Sequence, residues 1–309
     1  MNSSSEIYKR VKPAVVAIVA KISKNADFPD IIGTGFIVHE DGVVITNNHV
    51  IQAINKLPRI KGDPNFMPIQ VMLFHNVAGV GMMSVPLEVE GFTVSNFDET
   101  KVEGAVNYGE DIPDIGAIYL KAKGLPVVEI DEKLSVEEGD DVLISGFPMG
   151  TDTLRSAGWI HQLSPILQKG VVSAILPFVC ESPHGIIVEA VTHGGSSGSP
   201  IFNDKTGKVV AILFAGFPER KVLAKTQDGK YIQYENSTSL TYAIPSPLLH
   251  ILYQKLLKPI DPETGKELVR NINDYKTLEE IISTYTIHTN TPKEIGFTGI
   301  ESISQDKLI

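Results

Sequence analysis

The chain has 309 residues, 42% of them hydrophobic and 21% charged, which is the balance of a globular protein with a sizeable core and excludes a disordered chain. A net charge of -10 argues against the basic face of a general nucleic-acid binder. The one cysteine, Cys180, rules out an intramolecular disulfide and a cysteine metal cluster and permits a reducing compartment, and no apolar run approaches the roughly 20 residues of a membrane-spanning helix.

Read from the start, PAVVAIVA (Pro13 to Ala20) follows Lys9, Arg10 and Lys12 and superficially has the charged start and apolar centre of a secretion signal. It is short, Glu6 precedes it, Lys21 follows it, and its valines suit a buried strand. The expectation is a cytoplasmic chain, or a secreted one if an earlier leader has been removed. Short β-rich runs then recur to about residue 245: GTGFIVHEDGVVITNNHVI, IQVMLF, DIGAIYLK, DDVLISGF, GVVSAIL, GIIVEAVT, KVVAILFAG and YIQYENSTSLTYAIP. Glu40-Asp41-Gly42, residues 203–207 (NDKTG) and Gln227-Asp228-Gly229 each read as hairpin loops. The pattern is that of an all-β sandwich or barrel. Helix enters late, where Ser246 can cap, Pro247 can take the first helical position, and Leu248, Leu249, Ile251, Leu252, Leu256 and Leu257 form an apolar stripe. Thr277-x-x-Glu280 signals a second helix start in a polar tail.

Residues 193–202, HGGSSGSPIF, offer two serines. Most Gly/Ser clusters are surface loops. Gly194-x-Ser196-x-Gly198 satisfies the G-x-S-x-G elbow pattern, but such a serine must be followed by a helix, and Pro200-Ile201-Phe202-Asn203 starts none. That order would also leave only His250 and His288 downstream as bases. The rival nucleophile is Ser197, which needs a base in reach and a carboxylate behind that base. Of eight histidines, His49 lies in the most purposeful context, where a hairpin strand gives out into Thr46-Asn47-Asn48. His193 is adjacent to the loop and reads as a rim residue.

GTGFIVHEDGVVITNNHVI resembles the histidine region of the HtrA (Deg) branch of the trypsin-like serine peptidases, and Gly195-Ser196-Ser197-Gly198-Ser199-Pro200 fits the G-x-S-G-[GS]-P loop of trypsin-like peptidases. Asp114 in PDIGAIYLK is similar to the family's aspartate segment, with Asp111 as a lesser rival. Further similar segments follow in order: Lys12 to Ile18, Glu138 to Pro148, Gln168 to Ile175 and Thr241 to Ser246.

The resemblance implies two packed six-stranded antiparallel β-barrels with a cleft between them, followed by a C-terminal helix and tail. The implied divisions are residues 11–124 for a barrel with His and Asp, 125–245 for a barrel with Ser, and 246–309 for an extension without an assigned role. It also implies a serine endopeptidase with catalytic His49, Asp114 and Ser197, and an oxyanion hole from the NH groups of Gly195 and Ser197. Val191, Thr192, Leu213, Phe214, Ala215 and Gly216 become the substrate-binding walls. Val191 stands where trypsin carries an acid, so the expected P1 residue is small or medium and apolar, and the expected substrates are protein or peptide segments that are unfolded or flexible. No metal or other cofactor and no nucleic acid is expected. The residues after Ser246 lack a convincing PDZ module. The competing function is a silent protease-fold binding module.

Overall fold

The structure is a computed structural model, and it describes residues 3–20, 30–57, 69–78, 81–94, 113–148, 150, 164–179, 183–225, 231–257, 265 and 269–289. Asp111, Cys180 and the expected turn at 227–229 lie outside them.

The first sheet is built on β1 (Val15–Ala20), whose six residues are all buried. Strands with neighbours on both sides favour such unbroken β-branched runs. β1 pairs antiparallel with β2 (Asp30–His39) on one edge and with β4 (Ile69–Val77) on the other. β2 turns through the expected residues 40–42 into β3 (Val43–Thr46), which pairs with β7 (Gly116–Leu120). β5 (Gly81–Leu87) pairs with β4 and β6 (Val89–Val94) pairs with β7, giving the order β5-β4-β1-β2-β3-β7-β6.

The expected six-stranded first barrel is therefore a curled sheet of seven strands. The extra strand has a simple origin: β5 and β6 are two halves of one course of chain bent at Glu88, and each half pairs with a different neighbour. Backbone continuity from Leu87 to Val89 carries the sheet back toward its start, and the Glu88 carbonyl accepts the Lys121 NH at 2.9 Å.

The second unit is a closed barrel of six strands: β9 (Asp141–Gly146), β10 (Ile166–Leu176), β11 (Gly185–Glu189), β14 (Tyr231–Pro245), β13 (Val209–Lys225) and β12 (Pro200–Asn203). The expected loop at residues 203–207 joins β12 to β13. Outside the sheets, the C-terminal helix spans Ser246–Leu256 and buries Leu248, Leu249, Leu252 and Leu256. Pro245, not Ser246, is its N-cap, one residue earlier than the sequence suggested. The Thr277 signal does open a helix, Leu278–Thr289, after a two-residue strand, β15 (Lys276–Thr277), which pairs in parallel with β8 (Ala122–Lys123). Two further helices, Ser4–Val11 and Asn48–Asn55, are findings of the structure.

No helix among the described residues is long and apolar enough to cross a membrane.

Candidate active site

His49 sits in the first turn of the Asn48–Asn55 helix, directly beyond the end of β3. Asn47 is the N-cap residue by backbone conformation, yet its side chain does not cap; its Nδ2 donates instead to the Asp114 carbonyl at 2.9 Å. The cap comes from across the sheet. Asp114 Oδ1 accepts the His49 backbone NH at 2.7 Å, which places a carboxylate at a helix N-terminus, where unpaired NH groups and the helix dipole favour negative charge. The other oxygen, Oδ2, hydrogen-bonds to the imidazole Nδ1. One carboxylate thus fixes both the helix start and the ring. Asp114 can do so because β7 begins two residues later, and β7 is the strand paired with β3.

Ser197 comes from the other barrel, in the turn between β11 and β12. Its loop is held by backbone bonds: the Ser196 NH donates to the His193 carbonyl at 3.0 Å, the Gly198 NH to Leu213 at 3.1 Å, and the Ser199 NH to Ser196 at 3.0 Å. Among the described residues, the NH groups of Gly194, Gly195 and Ser197 make no such bond. Gly195 and Gly198 have φ of 89° and 86°, in the left-handed region that glycine tolerates. A Cβ on Gly198 would stand 2.1 Å from the Thr34 carbonyl oxygen, and one on Gly195 2.4 Å from that of Phe147. At Gly195 and Gly198 glycine is demanded by backbone packed against backbone, whereas Gly194 has open space around it.

The two serines differ in surroundings. Ser196 is 5% exposed, and its hydroxyl accepts the His193 NH at 3.4 Å. Ser197 is partly exposed and lines a cleft of about 840 Å³ together with His49 and Asp114. The described hydrogen bonds of His49 both go to Asp114, and its Nε2 makes none among the described residues.

The rest of the cleft is lined by Thr192, His193, Gly194 and Ser196, and by Leu213 through Phe217. Five of the six expected specificity residues are thus present. Val191 is the exception: Ala190 turns into the barrel core, so the next side chain faces outward, and Val191 is 46% exposed and outside the lining. Leu213 is buried, and its NH donates to the Ser199 carbonyl at 2.9 Å. Thr192 Oγ1 stands over Gly216, where a Cβ would approach it to 2.5 Å. Phe214 meets the His49 ring edge-on at a centroid distance of 6.2 Å, and Tyr242 backs Phe214 at 5.9 Å. Phe217, which the sequence did not single out, joins the lining and stacks edge-on against Tyr242 at 6.2 Å. His193 is exposed on the rim.

Among the described residues no cluster of His, Cys, Asp or Glu could hold a metal ion.

Residues 33–212 match the family model of a trypsin-like peptidase domain. The chain belongs to that family. Similar curated proteins include HhoB of Synechocystis sp., which carries the name of a serine protease, at 26% identity over 181 residues, 58% of this chain and 33% of that protein. A DegP-like protein of Ectopseudomonas mendocina, named as a periplasmic serine endoprotease, is 25% identical over 181 residues, covering 59% of this chain and 28% of its own length. This trypsin-like chain therefore spans about a third or less of these relatives. A solved serine endoprotease from Yersinia pestis superposes with a TM-score of 0.48 at 20% identity, covering 83% of this chain and 67% of that one.

The names of the DegP-like relatives overturn the cytoplasmic expectation, since they place those proteins in the periplasm. That expectation rested on reading residues 13–20 as a buried strand and not as a secretion signal, and the single cysteine is compatible with either redox environment.

Proposed function

We propose that this chain is a serine endopeptidase in which Ser197 attacks the peptide carbonyl, His49 takes and returns the proton, and Asp114 orients the imidazole. The observation that carries the reading is the His49–Asp114 pair opening onto the same cleft as Ser197. As the Ser197 Oγ–carbon bond forms, the hydroxyl proton passes to His49 Nε2, and the imidazolium is stabilised by Asp114. The carbonyl oxygen becomes an oxyanion that accepts from the NH groups of Gly195 and Ser197, two groups without an intramolecular acceptor among the described residues. His49 then protonates the leaving amine as the C–N bond breaks. Water repeats the sequence on the acyl-enzyme, with the proton returning to Ser197.

The P1 side chain enters between Thr192 and the Leu213–Gly216 stretch. With Phe214 and Ala215 as walls and Thr192 over Gly216, the space suits a small or medium apolar residue, and its substrates are unfolded or flexible protein segments. An apolar pocket separates side chains differing by one methylene only about 10- to 200-fold. The periplasmic names of the DegP-like relatives support an extracytoplasmic location.

A fluorophosphonate probe tests the chemistry. Labelling is expected in the wild-type chain and in Ser196→Ala, and is lost in Ser197→Ala. Retained labelling in Ser197→Ala would reject the assignment, and an unlabelled wild-type chain that still binds denatured protein would make it a binding module. Cleavage profiling on denatured proteins reads the pocket; dominant cutting after Glu, Lys or Arg would overturn the apolar P1.

A further inference from the structure

Thr34 belongs to β2 in the first sheet and is fully buried, yet its polar atoms serve the serine loop of the other barrel. Its backbone NH donates to the Ser197 carbonyl at 2.8 Å. Its Oγ1 donates to the Gly195 carbonyl at 2.8 Å and accepts the Phe147 NH at 3.1 Å. Its own carbonyl accepts Thr46 Oγ1 at 2.8 Å and lies against the Cα of Gly198.

These bonds act on particular peptide planes. The plane joining Gly195 to Ser196 has its carbonyl on Thr34 Oγ1 and its NH on His193. The plane joining Ser197 to Gly198 has its carbonyl on the Thr34 NH and its NH on Leu213. Between them lies the Ser196–Ser197 peptide, whose NH is unspent and whose carbonyl holds Ser199. Each held plane adjoins a glycine, Gly195 or Gly198, with no Cβ to restrain its rotation, and of the two only the plane at Gly195 has its carbonyl on a side chain. The Thr34 hydroxyl is the side-chain group that holds it.

We propose that Thr34 is a positioning residue for the oxyanion loop. From the opposite barrel it clamps the planes on either side of the Ser196–Ser197 peptide, so that the NH groups of Gly195 and Ser197 stay aimed into the cleft. The Phe147 NH on the same hydroxyl orients its proton toward Gly195, since an oxygen already accepting one bond donates in another direction. The inference rests on the active-site reading above and adds to it a residue that touches neither substrate nor the reacting atoms.

Thr34→Val is the direct test, because it keeps the shape and the backbone NH and removes only the hydroxyl. The expected result is a kcat about 10- to 100-fold lower with KM within about threefold, the signature of misplaced transition-state donors. Affinity for a peptide boronate, whose tetrahedral adduct fills the oxyanion site, should fall by the same factor as kcat/KM, and Thr34→Ser should restore both. Should Thr34→Val not fold, Thr34→Cys fills the space with a weak donor and should show an intermediate loss. Amide exchange over residues 193–199 supplies a readout without catalysis, and it should be faster in Thr34→Val and at wild-type rate in Thr34→Ser. Unchanged exchange, an unchanged kcat, or a loss confined to KM would overturn the proposal. Failure of the active-site reading appears separately, as hydrolysis that survives Ser197→Ala, and the exchange measurement still decides the role of Thr34.

Discussion

Asp114 satisfies two donors with its two oxygens, the His49 NH and the imidazole Nδ1. Replacing it by Asn presents one NH2 group where two donors must be accepted, so either the helix cap or the ring loses its partner. Asp114→Asn is expected to lower kcat by about 10,000-fold, the loss seen when a triad carboxylate becomes an amide, while folding survives by circular dichroism. Gly198→Ala should damage the loop's structure and, through it, the chemistry. A positive φ and a Cβ at 2.1 Å from the Thr34 carbonyl leave the loop no room, and an expected loss of several degrees in thermal midpoint would accompany absent labelling. That His49 and Asp114 pair and share a cleft with Ser197 was legible because each lies in a short motif whose neighbours are also constrained. Thr34 was not: it stands in the same GTGF run, but its use depends on a carbonyl 161 residues away. Val191 was misplaced for a similarly local reason, since which way a residue faces after a strand ends is decided by its partner, here the Ser239 carbonyl that accepts the Ala190 NH.

Strands and turns read well from the sequence because alternation and turn residues are local signals, and the loops at 40–42 and 203–207 fall where expected. Helices fared unevenly. The Ser3/Glu6 capping box that opens the Ser4–Val11 helix was present in the sequence, but the expectation for that stretch concerned the apolar run after it, assigned to a strand and not a leader. The Asn48–Asn55 helix was hidden because its N-cap asparagine is spent on Asp114 and its cap arrives from the distant loop before β7. Nothing in the sequence foretold Arg270. Its guanidinium donates to the Leu120 carbonyl at 2.7 Å, to that of Asp41 at 2.9 Å, and to Glu90 Oε2 at 2.8 Å, and lies 5.1 Å from the Tyr119 ring. Leu120 ends the strand that follows Asp114, and Asp41 precedes the strand that leads to His49. The segment at 269–289 is thereby strapped to the far ends of both strands. Arg270→Ala is expected to destabilise by about 1–3 kcal/mol, because it orphans partly buried acceptors and a carboxylate. Limited proteolysis should then release the C-terminal segment before the barrels open; equal protection in the variant would show that the strap holds by other contacts.

At the scale of the molecule, the first helix and the segment around Arg270 are each fastened to the half of the molecule farther from them in sequence. The Ser4–Val11 helix precedes the first sheet but reaches the second barrel, where the Tyr8 hydroxyl donates to the Pro165 carbonyl at 2.8 Å and Ile7 packs over Gly207. The segment around Arg270 follows the second barrel and returns to the first sheet. Between them Phe147, at the end of β9, packs on Phe74 of β4 with ring centroids 5.3 Å apart. The two halves should therefore unfold together, as one calorimetric transition whose van't Hoff and measured enthalpies agree. Phe147→Ala is expected to cost about 3–5 kcal/mol and to split that transition in two; a single transition in the variant would show that the terminal straps and the Thr34 bonds suffice to couple the halves. The division of labour between the halves has a further consequence for how such a molecule is made. A polypeptide emerges amino end first, so imidazole and carboxylate are synthesised well before the hydroxyl they serve, and the returning arginine later still. Under the proposed chemistry a growing chain is harmless to its neighbours until the second barrel has been made and has closed on the first sheet.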